Sequence, residues 1–266
     1  MDDEGRVPIF ITPNSCCPDI FNRQKSNIHK PCLAQHAAFI IKNDNNDASW
    51  LRSDFPRLKK FVDFYINNFR HENGLYYWYN DSAIGVDNDP CTFYRPDKSS
   101  ASIFLNCLMY KELDALCYIG KLLGEDISYY NSEAENLKSS IRNNCYDEKD
   151  GMYYSVDLNL LPIDSTRHTG APRHWDCLIQ RLGCWSGFMA MWSGIATPEQ
   201  ARRMVKENLL DQNAFWAPYG VRTLSKYEKM YTIKASGNPS CWLGPIWGIS
   251  NYMVFKSLVK YGYTSL

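Results

Sequence analysis

The chain has 266 residues, with 29 Lys+Arg against 29 Asp+Glu, so it carries no global field that would draw in nucleic acid or an anionic membrane. That length supports one large domain with a substantial core and no need of disulfide or metal staples. Aromatic residues make up 14% of it, with 18 Tyr and 8 Trp, which suits a pocket that stacks on flat, hydroxylated neutral ligands.

The N-terminal MDDEGRVPIF has no basic stretch leading into an apolar one, and no apolar run approaches the ~18 residues that span a bilayer. The chain therefore reads as a cytoplasmic protein with no membrane partner. Its ten cysteines form no C-x-x-C pair and read as buried free thiols. His29 with Cys32, and His174 with Cys177 and Cys184, lack the paired spacing of a structural zinc site. Asp81, Asp87 and Asp89 lack the Gly and Glu of a calcium loop. No metal and no cofactor is expected.

Residues 1–30 are irregular, broken by Pro8, Pro13 and Pro18. The helical signal begins at Pro31 and runs from Cys32 to Ile41, followed by a polar turn from Asn43 to Asp47. A second helix is predicted from Asp54 to Phe69, where Phe55, Leu58, Phe61, Val62, Tyr65, Ile66 and Phe69 recur at the spacings of one buried face. Residues 70–99 then form a long loop containing Gly85-Val86-Asp87-Asn88-Asp89-Pro90. Asx side chains bonding their own backbone and a Pro that fixes φ are the makings of a tight turn, and such a turn also presents a carboxylate.

A helix over Ser100 to Leu123, apolar nearly all round and stopped by Gly124, should lie deep. Ser132 with Glu135 reads as a capping box opening a helix from Glu133 to Cys145. Asp147 to Gly151 turns into an extended Met152-Tyr153-Tyr154 within a second long loop, 146–182. Another helix pair follows, from Gly183 to Gly194 and from Pro198 to Leu209; Thr197, Pro198 and Gln200 supply its cap. A last helix is predicted from Pro245 to Tyr261. About seven helices in hairpins, with long loops and little strand, define an all-α chain. Loops of such length in a compact domain are usually functional, and helix pairs with working loops point to part of an (α/α)6 toroid.

Four segments resemble the inverting α-glycosidase clan that includes glycoside hydrolase family 63, the mannosylglycerate hydrolases and, more distantly, the trehalases. Ile28-His29-Lys30-Pro31-Cys32 is similar to the I-x-Q-P-P opening of a barrel helix. Asn73-Gly74-Leu75 through Gly85-Val86-Asp87-Asn88-Asp89-Pro90 resembles N-G-L … G-x-D-N-S-P. Asp147-Glu148 through Gly151-Met152-Tyr153-Tyr154 is similar to the W-D-E-x-x-G-x-Y-Y turn. Trp242-Leu243-Gly244-Pro245-Ile246-Trp247, then Asn251-Tyr252 and Tyr261-Gly262-Tyr263, resemble W-x-G-P-x-W … N-Y … Y-G-Y. They keep the family's order from Ile28 to Tyr263, though Lys30, Cys32 and Asp89 stand where the family has Gln, Pro and Ser.

The resemblance implies a six-hairpin glycosidase fold, with residues 1–266 as a single barrel-type domain that reads as a fragment of a longer one. It implies cleavage of an α-glucosidic or α-mannosidic bond with inversion, with Asp87 as general acid and a Glu base expected beyond Leu266. Inversion requires two carboxyl groups, one protonated and one ionised; Trp78, Phe93 and Asp89 are the neighbours that could keep Asp87 protonated. Glu228 and Glu148 are the internal alternatives for the base. Trp242 is a candidate stacking face for a pyranose, with Gly244 allowing close approach; Asn88, Arg95, Lys30 and Trp78 are candidates for contacts to the glycoside substrate. Trp247 is placed on the last helix and given less weight. Asn251 is expected to make a structural bond and His36 to be a core histidine. The alternative is a catalytically inactive carbohydrate-binding or truncated barrel domain; an epimerase on the same toroid would need a catalytic His pair that no recognised segment supplies. The sequence assigns no oligomeric state.

Overall fold

A computed structural model describes residues 1–9, 28–161, 173–234 and 240–266. Among these there are eight α-helices: α1 Leu33–Asn43, α2 Phe55–Phe69, α3 Asp81–Ile84, α4 Ile103–Leu123, α5 Ser128–Cys145, α6 Met189–Ser193, α7 Pro198–Arg203 and α8 Gly248–Lys260. The strands are two-residue pairs. β1 (Ser100–Ala101), β4 (Val156–Asp157) and β5 (Leu178–Ile179) form an antiparallel sheet in the order β1-β4-β5. β2 (Tyr146–Asp147) pairs with β3 (Met152–Tyr153), and β6 (Trp216–Ala217) with β7 (Gly220–Val221). The all-α expectation holds.

The core is built around α4, which packs against α1, α2, α5 and α6, while α8 packs against α6. Its all-round apolar sequence is the reason: a helix without a wet face is stable only when neighbours surround it. Its two buried polar side chains, Asn106 and Glu112, hold other elements in place. Asn106 accepts from the Tyr76 N–H at 2.7 Å and donates to the carbonyls of Tyr76 and Ser102, each at 2.8 Å, fixing the Asn73–Tyr76 turn to α4. Glu112 accepts from the N–H groups of Ala34 (2.7 Å) and Gln35 (3.2 Å). Cys32 offers α1 no side-chain cap, so a carboxylate 78 residues away satisfies the first-turn donors instead.

Three local signals hold in the structure. Of the expected α2 face, Phe55, Phe61, Val62, Tyr65, Ile66 and Phe69 are buried, Leu58 is half-buried, and Phe64 is buried besides; Gly124 ends α4 in the left-handed conformation at φ 74°. The capping box before α7 is formed: Gln200 N–H donates to Thr197 Oγ1 at 3.2 Å and Thr197 N–H to Gln200 Oε1 at 2.9 Å. α7 then continues as a π-helical turn over Met204–Leu209. Thr197→Ala is expected to cost about 1 kcal/mol, measurable as a lower midpoint in urea unfolding with an unchanged slope.

Three predicted helices differ from expectation. The capping box at Ser132 and Glu135 is not formed, because α5 begins at Ser128. Asp126 Oδ1 accepts the Ser128 N–H at 3.0 Å, and the earlier start buries Tyr130. The last helix begins at Gly248 rather than Pro245. Thr223 donates its hydroxyl to the Pro245 carbonyl at 2.8 Å and Arg222 bridges to Ile246, so this stretch stays extended and Trp247 precedes the helix. The predicted helix at Gly183 to Gly194 is a 3-10 turn, Trp185–Phe188, leading into α6.

The long loops fold onto one another. Pairing of β4 with β1 joins the 146–182 loop to the end of the 70–99 loop, and Arg95 of the first forms an ion pair with Asp157 of the second. Among the described residues, no helix is long and apolar enough to cross a membrane.

Candidate active site

α3 ends at Gly85, whose φ of 67° places the chain in the left-handed region that a side chain would disfavour. A Cβ there would also lie 2.5 Å from Lys30 Nζ, so a glycine is what lets the lysine reach this turn. Burial pushes the Lys30 ammonium below its ordinary pKa, opposed by the nearby Cys32 and Asp87. Asp87 and Lys30 are therefore electrostatic neighbours, brought together across 57 residues by the α1 approach and the α3 turn.

The next two residues fix the loop. Asn88, in the left-handed region at φ 52°, accepts the Trp242 N–H on its Oδ1 at 2.9 Å. Its side-chain oxygen thus joins the Asp87 turn to the Trp242 segment. Asp89 is buried and accepts the Cys91 N–H on Oδ1 at 2.7 Å; burial raises its pKa to about 6. Asp81 on α3 accepts the Thr92 hydroxyl at 3.0 Å, and its pKa is raised by burial and further by Asp87.

Trp242 lies between two other indoles. It stacks on Trp247 with centroids 4.3 Å apart and planes 7° from parallel, and on Trp185 at 5.9 Å and 28°. Trp247 donates Nε1–H to the Cys241 carbonyl at 2.8 Å, which orients the outer ring. Trp247 is therefore part of the aromatic stack and not a helix side chain, a correction that follows from the extended stretch before α8. Gly244, at φ 140°, leaves room for the Tyr231 ring, which a Cβ would meet at 2.5 Å.

The remaining candidates separate from this group. Trp78 is 1% exposed and its Nε1–H has no hydrogen-bond partner among the described residues. Arg95 is engaged by Asp157. Glu228 accepts the Gly183 N–H at 2.7 Å and lines a cavity of about 200 Å³ with Tyr154, Phe215 and Tyr227; no residue of the Asp87 loop borders it. Glu148 is an exposed side chain near Arg203, 3.8 Å away. Asn251 accepts the Val221 N–H and donates to the Val221 and Trp247 carbonyls, the structural role expected of it.

Trp185 and the Cys91–Cys184 contact were not singled out in the sequence. Trp185 sits in what read as an ordinary apolar helix, and the two cysteines are 93 residues apart. Only the approach of Thr223 to the 3-10 turn, where the Trp185 N–H donates to the Thr223 carbonyl at 3.0 Å, sets that ring against Trp242.

A hairpin-built helical core with long loops gathered around a carboxylate, a lysine and stacked indoles is the architecture of a toroidal glycoside hydrolase. The chain belongs to that class by family as well: the family described as Mannosylglycerate hydrolase MGH1-like glycoside hydrolase domain matches residues 2–266. The structure is similar to that of the family 63 mannosylglycerate hydrolase from Thermus thermophilus in complex with Tris, with a TM-score of 0.72 and 16% identity over 99% of this chain and 74% of that one. In sequence it is 24% identical over 264 residues to mannosyl-oligosaccharide glucosidase of Arabidopsis thaliana, covering 84% of this chain and 30% of the relative. It is 25% identical over 221 residues to the cytosolic neutral trehalase of Kluyveromyces lactis, covering 77% and 27%. The chain thus spans less than a third of the length of these two relatives.

Proposed function

We propose that this chain carries the proton-donating part of an inverting α-glycosidase, with Asp87 as the general acid and an α-glucoside or α-mannoside as substrate. The observation that carries this reading is the Asn88–Trp242 hydrogen bond of 2.9 Å, which holds the Asp87 turn beside a three-indole stack. Trp242 is 6% exposed and covered by Trp185 and Trp247, so it is not the stacking face expected of it; a pyranose, whose flat C–H-rich face stacks on an indole, would meet the half-buried Trp247 instead.

In the reaction Asp87 gives its proton to the glycosidic oxygen as the C–O bond breaks, and water attacks the anomeric carbon from the opposite face. A second carboxylate takes the proton from that water, and the two carboxyl groups stand about 6.5–9.5 Å apart in enzymes of this type. Of the internal candidates for that base, Glu228 accepts the Gly183 N–H and Glu148 lies exposed beside Arg203. Lys30, beside Asp87, contributes a cation to the acceptor side of the site. Solved relatives hold Tris, D-glycerate and glucose, hydroxylated molecules in keeping with a hydroxyl-reading site.

The test is to assay the protein in its full reading frame on α-glucosides, α-mannosides and their glycerate derivatives, following the first-formed anomer by proton NMR. The β-anomer should appear first and mutarotate to the equilibrium mixture. Appearance of the α-anomer first would overturn the mechanism, and saturable sugar binding without turnover would identify a carbohydrate-binding domain instead.

A further inference from the structure

Under the Asp87 turn lies a second group of side chains that the hydrolytic reading does not use. Asp89, Cys91 and Cys184 are 3%, 2% and 5% exposed, and a carboxylate oxygen and both Sγ atoms lie within 4.8 Å of one another. The sulfurs are 3.8 Å apart, well outside the ~2.05 Å of a disulfide. Two thiolates bound at about 2.3 Å to one tetrahedral ion would stand roughly 3.8 Å apart. Leu182, Leu224, Tyr231 and Leu243 pack around the pair.

We propose that Asp89, Cys91 and Cys184 form a binding site for a thiophilic divalent cation of the zinc type. The donor set selects the metal: two sulfurs and one carboxylate oxygen suit zinc and disfavour calcium or magnesium, which take oxygen ligands. Charge supports it as well. The ionisable neighbours acting on Cys184 are Cys91, Asp89 and Glu228, all acids. A divalent ion supplies the missing positive charge. On binding, two thiol protons leave to solvent, two metal–sulfur bonds and one metal–carboxylate bond form with no change of oxidation state, and water takes the fourth position.

The consequence is positional. Cys91 follows Asp87 by four residues, and Cys184 immediately precedes the turn that carries Trp185. An ion held here would clamp the acid's loop to the inner ring of the indole stack, through ligands 93 residues apart. This is independent of whether Asp87 acts on a glycoside.

The experiment uses reduced, metal-free protein and no activity readout. Titration with cobalt should show one equivalent bound with a thiolate-to-metal charge-transfer band, displaced by zinc. X-ray absorption at the zinc edge should count two sulfur ligands in the unsubstituted protein, which needs no variant that must fold. Cys91→Ser and Cys184→Ser should each weaken binding on the order of 100-fold, with Asp89→Asn less affected. Zinc bound with no sulfur ligand, the absence of stoichiometric binding, or a charge-transfer band that survives the double cysteine substitution would each overturn the site. So would a Cys91–Cys184 disulfide that forms readily in air and excludes the metal.

Discussion

Asp87→Asn is expected to lower turnover of sugar and alkyl α-glycosides by about 10²–10⁴-fold, the range general acid catalysis contributes, with little change in KM. The variant keeps the size and hydrogen-bonding reach of the side chain but has no proton to give. The loss should depend on the leaving group. An alkoxide must be protonated as it departs, whereas fluoride leaves without help, so an α-glycosyl fluoride should be cleaved by the variant within roughly 10-fold of the parent rate. That contrast separates an acid from a merely structural loop residue, whose loss would depress both substrates together. Two anchors of the turn, the Asn88 Oδ1 bond to Trp242 and the Asp89 Oδ1 bond to Cys91, are made by residues other than Asp87. Equal losses on fluoride and alkoxide would remove Asp87 from the role.

Stability should fall by roughly 3 kcal/mol between pH 4.5 and pH 7 on account of Glu112 alone. Burial pushes this carboxyl from 4.5 up to about 7, against the lowering effect of the hydrogen bonds from Ala34 and Gln35. The sign follows from proton counts. Between the two pKa values the unfolded chain has released its proton while the folded chain keeps it, so raising the pH favours the unfolded state until the folded group also ionises near 7. Below 4.5 both states are protonated and above 7 both are ionised, so the slope is confined to that window. Glu112→Gln removes the titration but leaves one carbonyl oxygen for two N–H groups. It should be about 1 kcal/mol weaker than the parent at pH 4.5 and gain about 3 kcal/mol relative to the parent by pH 7.5. Urea unfolding of both proteins across that range measures the difference; parallel pH dependence would show that Glu112 is ionised in the folded chain throughout.

Much of the helical order of this molecule is legible in its sequence. α2, the stop at Gly124 and the Thr197–Gln200 box were read correctly because each depends on residues a few positions apart. The start of α5 was misplaced because two N-terminal signals compete there, and burial of Tyr130 favours the earlier one. Trp247 was assigned to the last helix because Pro245 is a good first-turn residue; its actual extended backbone is imposed by Thr223 and Arg222, which local sequence does not reveal. Asn88 and Arg95 are candidate sugar contacts by chemistry; the structure adds that Asn88 Oδ1 accepts the Trp242 N–H and that Arg95 pairs with Asp157.

By itself the sequence determined the helical class, the hairpin order, the family and the loop that presents Asp87, since these rest on periodicity, capping and ordered motifs written along the chain. Only the tertiary structure decided which residues meet there: Lys30 with Asp87, Asn88 with Trp242, Trp185 within the indole stack, Glu112 at the start of α1, and Cys91 with Cys184. Each of those pairs joins residues far apart in sequence, and their contact is settled by how helices pack around α4 rather than by any local preference.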